Sequence, residues 1–167
     1  MGDTMIACVD VDYRDDAAVA ACVLFDEWAA ERSSRELVAR VADTLPYEPG
    51  RFYRRELPPI LAVLEQVEAP LDAVVVDGHV WLRGKTPGLG AKLYEALDGA
   101  VPVIGVAKNP FAGTDAVPVY RGRSRRPLFV TATGMAQQEA AQHIQRMHGP
   151  YRIPTMLREA DRLCRTG

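Results

Sequence analysis

Cysteine, histidine and aromatic residues are all scarce in this 167-residue chain. The three cysteines, Cys8, Cys22 and Cys164, are an odd number and form no C-x-x-C pair. That argues against a disulfide framework or a structural zinc site and for a reducing compartment, the cytoplasm. No stretch approaches the roughly 18 apolar residues that a membrane span requires. The apolar N-terminal stretch has no basic flank and is cut by Asp10, Asp12, Arg14, Asp15 and Asp16, so no signal peptide is expected and no membrane partner. An excess of charge is also missing, since the formal net charge is −2. This near balance excludes nucleic-acid binding by bulk positive charge and leaves room for a local basic groove.

What is present is an ordinary globular mixture, 48% hydrophobic, 25% charged and 7% aromatic, which excludes long-range disorder, collagen-like repeats and coiled coil. The length suits one domain spanning residues 1–167, and there is no internal repeat or dividing linker. A monomer is expected. Residues 5–13 (MIACVDVDY) and 17–25 (AAVAACVLF) read as strands of a hairpin around Asp15 and Asp16. Residues 33–42 suit either a helix or a third strand of a meander. After the turn-rich LPYEPG segment, Leu57, Ile60, Leu61, Leu64 and Val67 fall at helical spacing. Pro58 and Pro59 place the start of that helix near Arg55, because proline is tolerated in a first turn. Residues 71–76 and 101–106 are apolar enough for buried strands, with a helix over 88–97 between them. Short strands are predicted at 117–119 and 128–131, and helices at 137–147 and 154–164. The order implies an α/β fold with one mixed central sheet flanked by helices.

Acidic residues mark the candidate site. Ligands in open α/β sheets bind off the carboxyl ends of parallel strands. Asp77 ends the apolar AVVV run immediately before Gly78. Asp10 lies inside the first apolar strand, where a carboxylate is costly unless paired or bound to a cation. Asp12 shares a face with Asp10 but reads, with Asp15 and Asp16, as an ordinary turn or surface acid. Glu56 opens a helix, and Asp161 sits in the last one near Arg158. Carboxylates that meet repel one another and raise each other's pKa, and divalent cations relieve that repulsion. Mg²⁺ takes carboxylate and phosphate oxygens together, and two such ions roughly 3.5–4 Å apart serve phosphodiester cleavage.

Five segments in order carry a resemblance: Val9-Asp10-Val11; Pro46-Tyr47-Glu48-Pro49-Gly50 followed by Arg55-Glu56-Leu57-Pro58; Val76-Asp77-Gly78-His79; Ile104-Gly105-Val106-Ala107-Lys108; and Tyr151-Arg152-Ile153-Pro154 with Arg158, Ala160 and Asp161. Together they resemble the endonuclease V family over nearly the whole chain. The resemblance implies an RNase H-like fold and Mg²⁺-dependent (or Mn²⁺-dependent) cleavage of DNA or RNA on the 3′ side of deoxyinosine or inosine. It implies that Asp10, Glu56, Asp77 and Asp161 hold the metal. Lys108 would place a point charge on the phosphate. Pro46, Tyr47 and Pro49 would form a stiff wedge beside the displaced base. Gly50, Gly78 and Gly105 lie in motifs that would approach that base, and His79 reads equally as a hydrogen-bonding group within the site or as a packed structural histidine. Arg121 and Arg123, in the basic stretch YRGRSRR, would grip the phosphate backbone as a mobile turn.

The chain also departs from the family pattern. Two family histidines are replaced by Arg83 and Lys92, neither of which titrates near neutral pH. The alternative is therefore a catalytically weakened or altered-specificity nucleic-acid-binding paralogue. His143 and His148 have no ligand partners at metal spacing and read as surface or satisfied residues. GHVWLRGKT, residues 78–86, is one residue too long for a P-loop.

Overall fold

The computed structural model describes residues 5–42, 53–83 and 86–167. The strands are β1 (Ile6–Arg14), β2 (Ala17–Phe25), β3 (Arg35–Ala42), β4 (Ala73–Asp77), β5 (Val103–Ala107), β6 (Val117–Val119) and β7 (Leu128–Thr133). The helices are α1 (Tyr53–Leu64), α2 (Leu89–Ala96), α3 (Gln137–Arg146) and α4 (Thr155–Thr166). All seven strands join one sheet in the order β3-β2-β1-β4-β5-β7-β6. β1, β4 and β5 run parallel at its centre, with antiparallel strands on both sides. The hairpin turn at Asp15 takes a positive φ of 48°, a conformation Asp tolerates better than most residues. Residues 35–42 settle as a strand: alternate side chains of β3 face α1, and β2 supplies the ladder.

Strand alternation sends side chains to two cores. Ile6, Cys8, Val75, Ile104 and Val106 pack with Ala140 and Ile144 of α3 and with Met156 and Ala160 of α4. Ala7, Val9, Val74 and Val76 pack with Ile60 and Val63 of α1 and Leu89 and Leu93 of α2. Both faces of β4 and β5 are thus buried, which explains their unbroken apolar sequence. The first core's face is also the one that Asp10, Asp77 and Lys108 continue at the strands' carboxyl ends, by two-residue spacing from Cys8, Val75 and Val106.

One expectation needs correction. α1 begins at Tyr53, so Pro58 and Pro59 lie inside the helix rather than in its first turn. Each removes an amide donor one turn above Arg54 and Arg55, at the end of the helix that points to the site. Trp81 bridges Pro87, and the Leu82 amide donates to the Thr86 carbonyl at 2.8 Å, within the stretch that is too long for a P-loop.

Gly105 is buried in β5, and a Cβ there would sit 2.5 Å from the Gly78 carbonyl oxygen, 2.8 Å from the Val80 nitrogen and 2.9 Å from Thr131 Oγ1. The same Thr131 hydroxyl accepts from the Val80 amide at 2.8 Å. The missing side chain therefore lets the loop after β4 pack on β5. Gly105→Ala should lower stability by about 1–3 kcal/mol, because the obstructing atoms are mostly backbone. A melting temperature equal to wild type would rule out this packing role.

Candidate metal centre

β1 and β4 are in register from Ile6 opposite Ala73 to Val9 opposite Val76. Asp10 and Asp77 are the next residues on each strand, so the parallel ladder sets them side by side. β5 is paired with β4 up to Asp77 opposite Val106, and Lys108 follows directly after the strand. α4 crosses the same face and brings Asp161 down onto Asp10. Carboxylate oxygens of Asp10 and Asp161 and the Cys164 sulfur lie within 4.8 Å of one another. α1 approaches the strand ends from the opposite face. Glu56, in its first turn, lines a small recess with Asp10, Asp77 and Leu89. Arg55 beside it lies over the Tyr13 ring at 4.0 Å, which docks the start of α1 on the end of β1.

Repulsion within this cluster is strong. Burial pushes the Asp10 carboxyl up to about 7, with Asp77 and Asp161 adding to the effect while the Val11 amide opposes it. That amide donates to Asp10 Oδ1 at 2.9 Å. Glu56 rises to about 8 through burial first and then Asp77 and Asp10, against a weaker pull from Arg55. Asp77 reaches solvent at its edge, yet protein crowds its carboxyl and raises its pKa. The Lys108 ammonium draws it down again and Asp161 raises it. Oxygen donors held this close, with one nearby lysine to offset them, match what a hard divalent cation requires. The thiol of Cys164 donates to the Asp161 carbonyl at 3.2 Å and is pushed up to about 12, chiefly by burial, so the donor set is oxygen in character.

A cleft of about 560 Å³ opens beside this cluster, lined by Asp10, Asp77, Lys108, Thr155, Arg158 and Asp161 among others. Tyr151 is exposed, and the guanidinium of Arg158, which lines the cleft, lies 5.3 Å from its ring centroid. His79 is buried: its Nε2 pairs with the Asn109 carbonyl at 3.2 Å, and its ring meets Phe111 edge-on at 6.0 Å. It therefore braces the loop that follows Lys108. Among the described residues its Nδ1 has no partner.

The structure corrects the reading of the basic turn. Arg121 is only 4% exposed, and its guanidinium donates to the carbonyls of Met147, Gly149, Tyr151 and Arg152. A group so engaged does not reach a phosphate, so Arg121 leaves the substrate-binding set. Gly122 takes φ 59°, and a Cβ there would be 2.3 Å from the Pro150 carbonyl oxygen, so the turn is docked rather than free. Arg123 is exposed. Gly105 is likewise explained by packing, not by an open approach to a base. Pro46, Tyr47, Pro49 and Gly50 lie outside the described residues. Lys92, in place of a family histidine, pairs loosely with Glu95 at 4.0 Å. His143 stacks on Trp28 at 4.5 Å, and His148 Nδ1 meets Thr155 Oγ1 at 3.0 Å, as satisfied side chains do. Sequence reasoning quoted Arg152 in its motif without a role. Its guanidinium donates to the Lys108 and Pro127 carbonyls, contacts that only folding creates.

A mixed sheet of this order, with acids converging on its central parallel strands, has the RNase H-like fold. The endonuclease V sequence model matches residues 2–130. Endonuclease V of Streptomyces coelicolor is 33% identical over 188 residues, covering 98% of this chain and 79% of that protein. The crystal structure of endonuclease V from Streptomyces avermitilis has a TM-score of 0.80 at 32% identity, covering 99% of this chain and 81% of that one. Endonuclease V of Ciona intestinalis, in complex with a 24mer DNA containing an inosine followed by a ribo-adenosine, shares the fold, with a TM-score of 0.81 at 17% identity over 97% of this chain and 84% of that one. The chain belongs to the endonuclease V family of nucleases.

The raised carboxyls imply a pH dependence. A carboxyl whose folded pKa lies above its unfolded value binds its proton more tightly when folded. It favours the fold below the unfolded pKa and loses that contribution as pH rises through the folded one. For Glu56 the window runs from 4.5 to about 8. In chelator, wild type should lose stability against Glu56→Gln across that window, by on the order of 2 kcal/mol after allowance for solvent. Denaturant unfolding at a series of pH values checks this, and parallel curves for the two proteins would sink it.

Proposed function

We propose that this protein hydrolyses a phosphodiester bond on the 3′ side of deoxyinosine, or of inosine in RNA, using Mg²⁺, with Mn²⁺ as a substitute. The observation that carries this reading is the convergence of Asp10, Glu56, Asp77 and Asp161 in a chain of the endonuclease V family. The relative from Ciona intestinalis, crystallised with inosine-containing DNA, supports the substrate class. All four acids that the resemblance assigns to metal are present, which counts against a purely binding paralogue. The four would hold the cation, and their oxygen character favours Mg²⁺ or Mn²⁺ over softer ions. Such an ion, when bound, supplies Lewis acidity toward a phosphate and a lowered pKa for water.

The chain's own residues divide the remaining work. Lys108, exposed at the end of β5 beside Asp77, donates to a non-bridging phosphate oxygen and opposes the negative charge that grows on it. Gly78, at φ 125° with open space where a Cβ would point, lets backbone approach a displaced base. His79 braces the adjoining loop. Arg123 supplies a phosphate contact from the surface of the docked turn. Pro46, Tyr47 and Pro49 act as the wedge, and Gly50 joins Gly78 at the displaced base. The enzyme works as a monomer in the cytoplasm, in keeping with three free, buried cysteines. No helix among the described residues is long and apolar enough to cross a membrane.

Asp77→Asn should reduce cleavage of an inosine-containing oligonucleotide by at least about 10³-fold, since it removes a charge that holds the cation. Its melting temperature in chelator should match or exceed wild type, because one repelling carboxylate is gone. Labelled DNA and RNA, with and without inosine, in Mg²⁺, Mn²⁺ or chelator, supply the assay. Wild-type rates from the variant, or equal cutting of unmodified strands, would refute the assignment.

A further inference from the structure

Lys108 sits on a loop, and a lysine is a flexible point charge whose useful position depends on where its backbone is held. That backbone is held by arginine. The Arg152 NH2 group donates to the Lys108 carbonyl and, at 2.8 Å, to the Pro127 carbonyl just before β7. One guanidinium nitrogen thus ties the segment after β5 to the segment entering β7, and both to the residues leading into α4. Arg152 is in turn held from below. Arg121 NH1 donates to the Tyr151 carbonyl at 2.9 Å and to the Arg152 carbonyl at 3.2 Å. Arg121 NH2 reaches the Met147 carbonyl at 2.6 Å and the Gly149 carbonyl at 3.1 Å. The close approach of Gly122 to Pro150 packs the same turn on the same segment. Two residues after Arg152, Pro154 caps α4, the helix that carries Asp161.

We propose that Arg152 is a positioning residue for cleavage: seated on buried Arg121, it sets the backbone of Lys108 relative to the carboxylate cluster. This rests on the role of Lys108 at the phosphate given above. The argument turns on shape as well as charge. A guanidinium bridges two carbonyls in fixed directions, and an ammonium on a mobile stem does not hold both in the same geometry. A displacement of about 1 Å at a reacting centre costs on the order of 10²-fold in rate.

The test is a double-variant cycle on an inosine-containing oligonucleotide, with kcat, KM and melting temperature measured for each protein. Arg152→Lys keeps the positive charge, and Arg152→Gln, which retains a donor, is run beside it. Either should lower kcat about 10- to 100-fold and leave KM within about twofold. In a Lys108→Ala background, the same Arg152 change should cost almost nothing more, because the group it positions is absent. Recovery by Arg152→Lys would show that charge suffices. A raised KM would show a direct contact with nucleic acid. Losses that multiply in the double variant would show an action independent of Lys108. Each of these overturns the proposal, as does failure of both Arg152 variants to fold, which would make the residue purely structural. Wild-type cleavage by Lys108→Ala alone would refute the reading of Lys108 itself, and it is seen separately in the single variant.

Discussion

Asp10 and Asp77 are neighbours because β1 and β4 run parallel in one register, and most of the site follows from that pairing. Asp10, inside β1, and Asp77, at the end of β4, have nowhere else to go. Their repulsion is built in by the backbone ladder, which is far too strong to yield to it. The cluster is then completed from both faces of the sheet: Glu56 arrives on α1 and Asp161 on α4. The raised pKa values of Asp10, Glu56 and Asp77 express this confinement. A cation that accepts their oxygens is the chemical answer to it.

Holding repelling groups together requires fasteners, and here they are arginines directed inward. Arg14 donates to the Cys164 carbonyl at 2.6 Å and the Gly167 carbonyl at 2.9 Å, tying the end of α4 to β1. Its Nε pairs with Asp12 at 3.1 Å, which gives that acid a structural use. Arg121 and Arg152 secure the approach to the other end of α4. The near-zero net charge looks different in this light. Some of its positive charge is used inside the fold on carbonyl oxygens, and the remainder, such as Arg123, Arg125 and Arg126, is exposed at the surface.

The replaced histidines bear on the same point. Lys92 lies on α2 and pairs with Glu95 on its own helix, and Arg83 packs its stem against Gly113. Both are cations fitted into the local surface, and neither disturbs the four carboxylates. The change falls outside the acids that the resemblance assigns to metal, and all four of those acids are kept.

Much of this was readable along the chain. Apolar runs marked β1, β2, β4 and β5. The costly Asp10 within a strand and Asp77 at a strand end marked the site, because burial of charge is a local anomaly visible in one dimension. Segment 33–42 was not settled, since its propensities are balanced and only the ladder from β2 makes it a strand. Pro58 and Pro59 misplaced the start of α1, because packing on β2 and β3 outweighed two missing amide donors. Arg121 looked like a surface cation because charge patterning carries no information about which carbonyls lie nearby. Residue type and position were enough to single out Asp10 and Asp77, and the resemblance to the family added Glu56, Asp161 and Lys108. Their convergence, the burial of Arg121 and the hold of Arg152 on Lys108 arise from contacts between residues far apart in sequence, and those exist only once the sheet has brought β5, β7 and the start of α4 together.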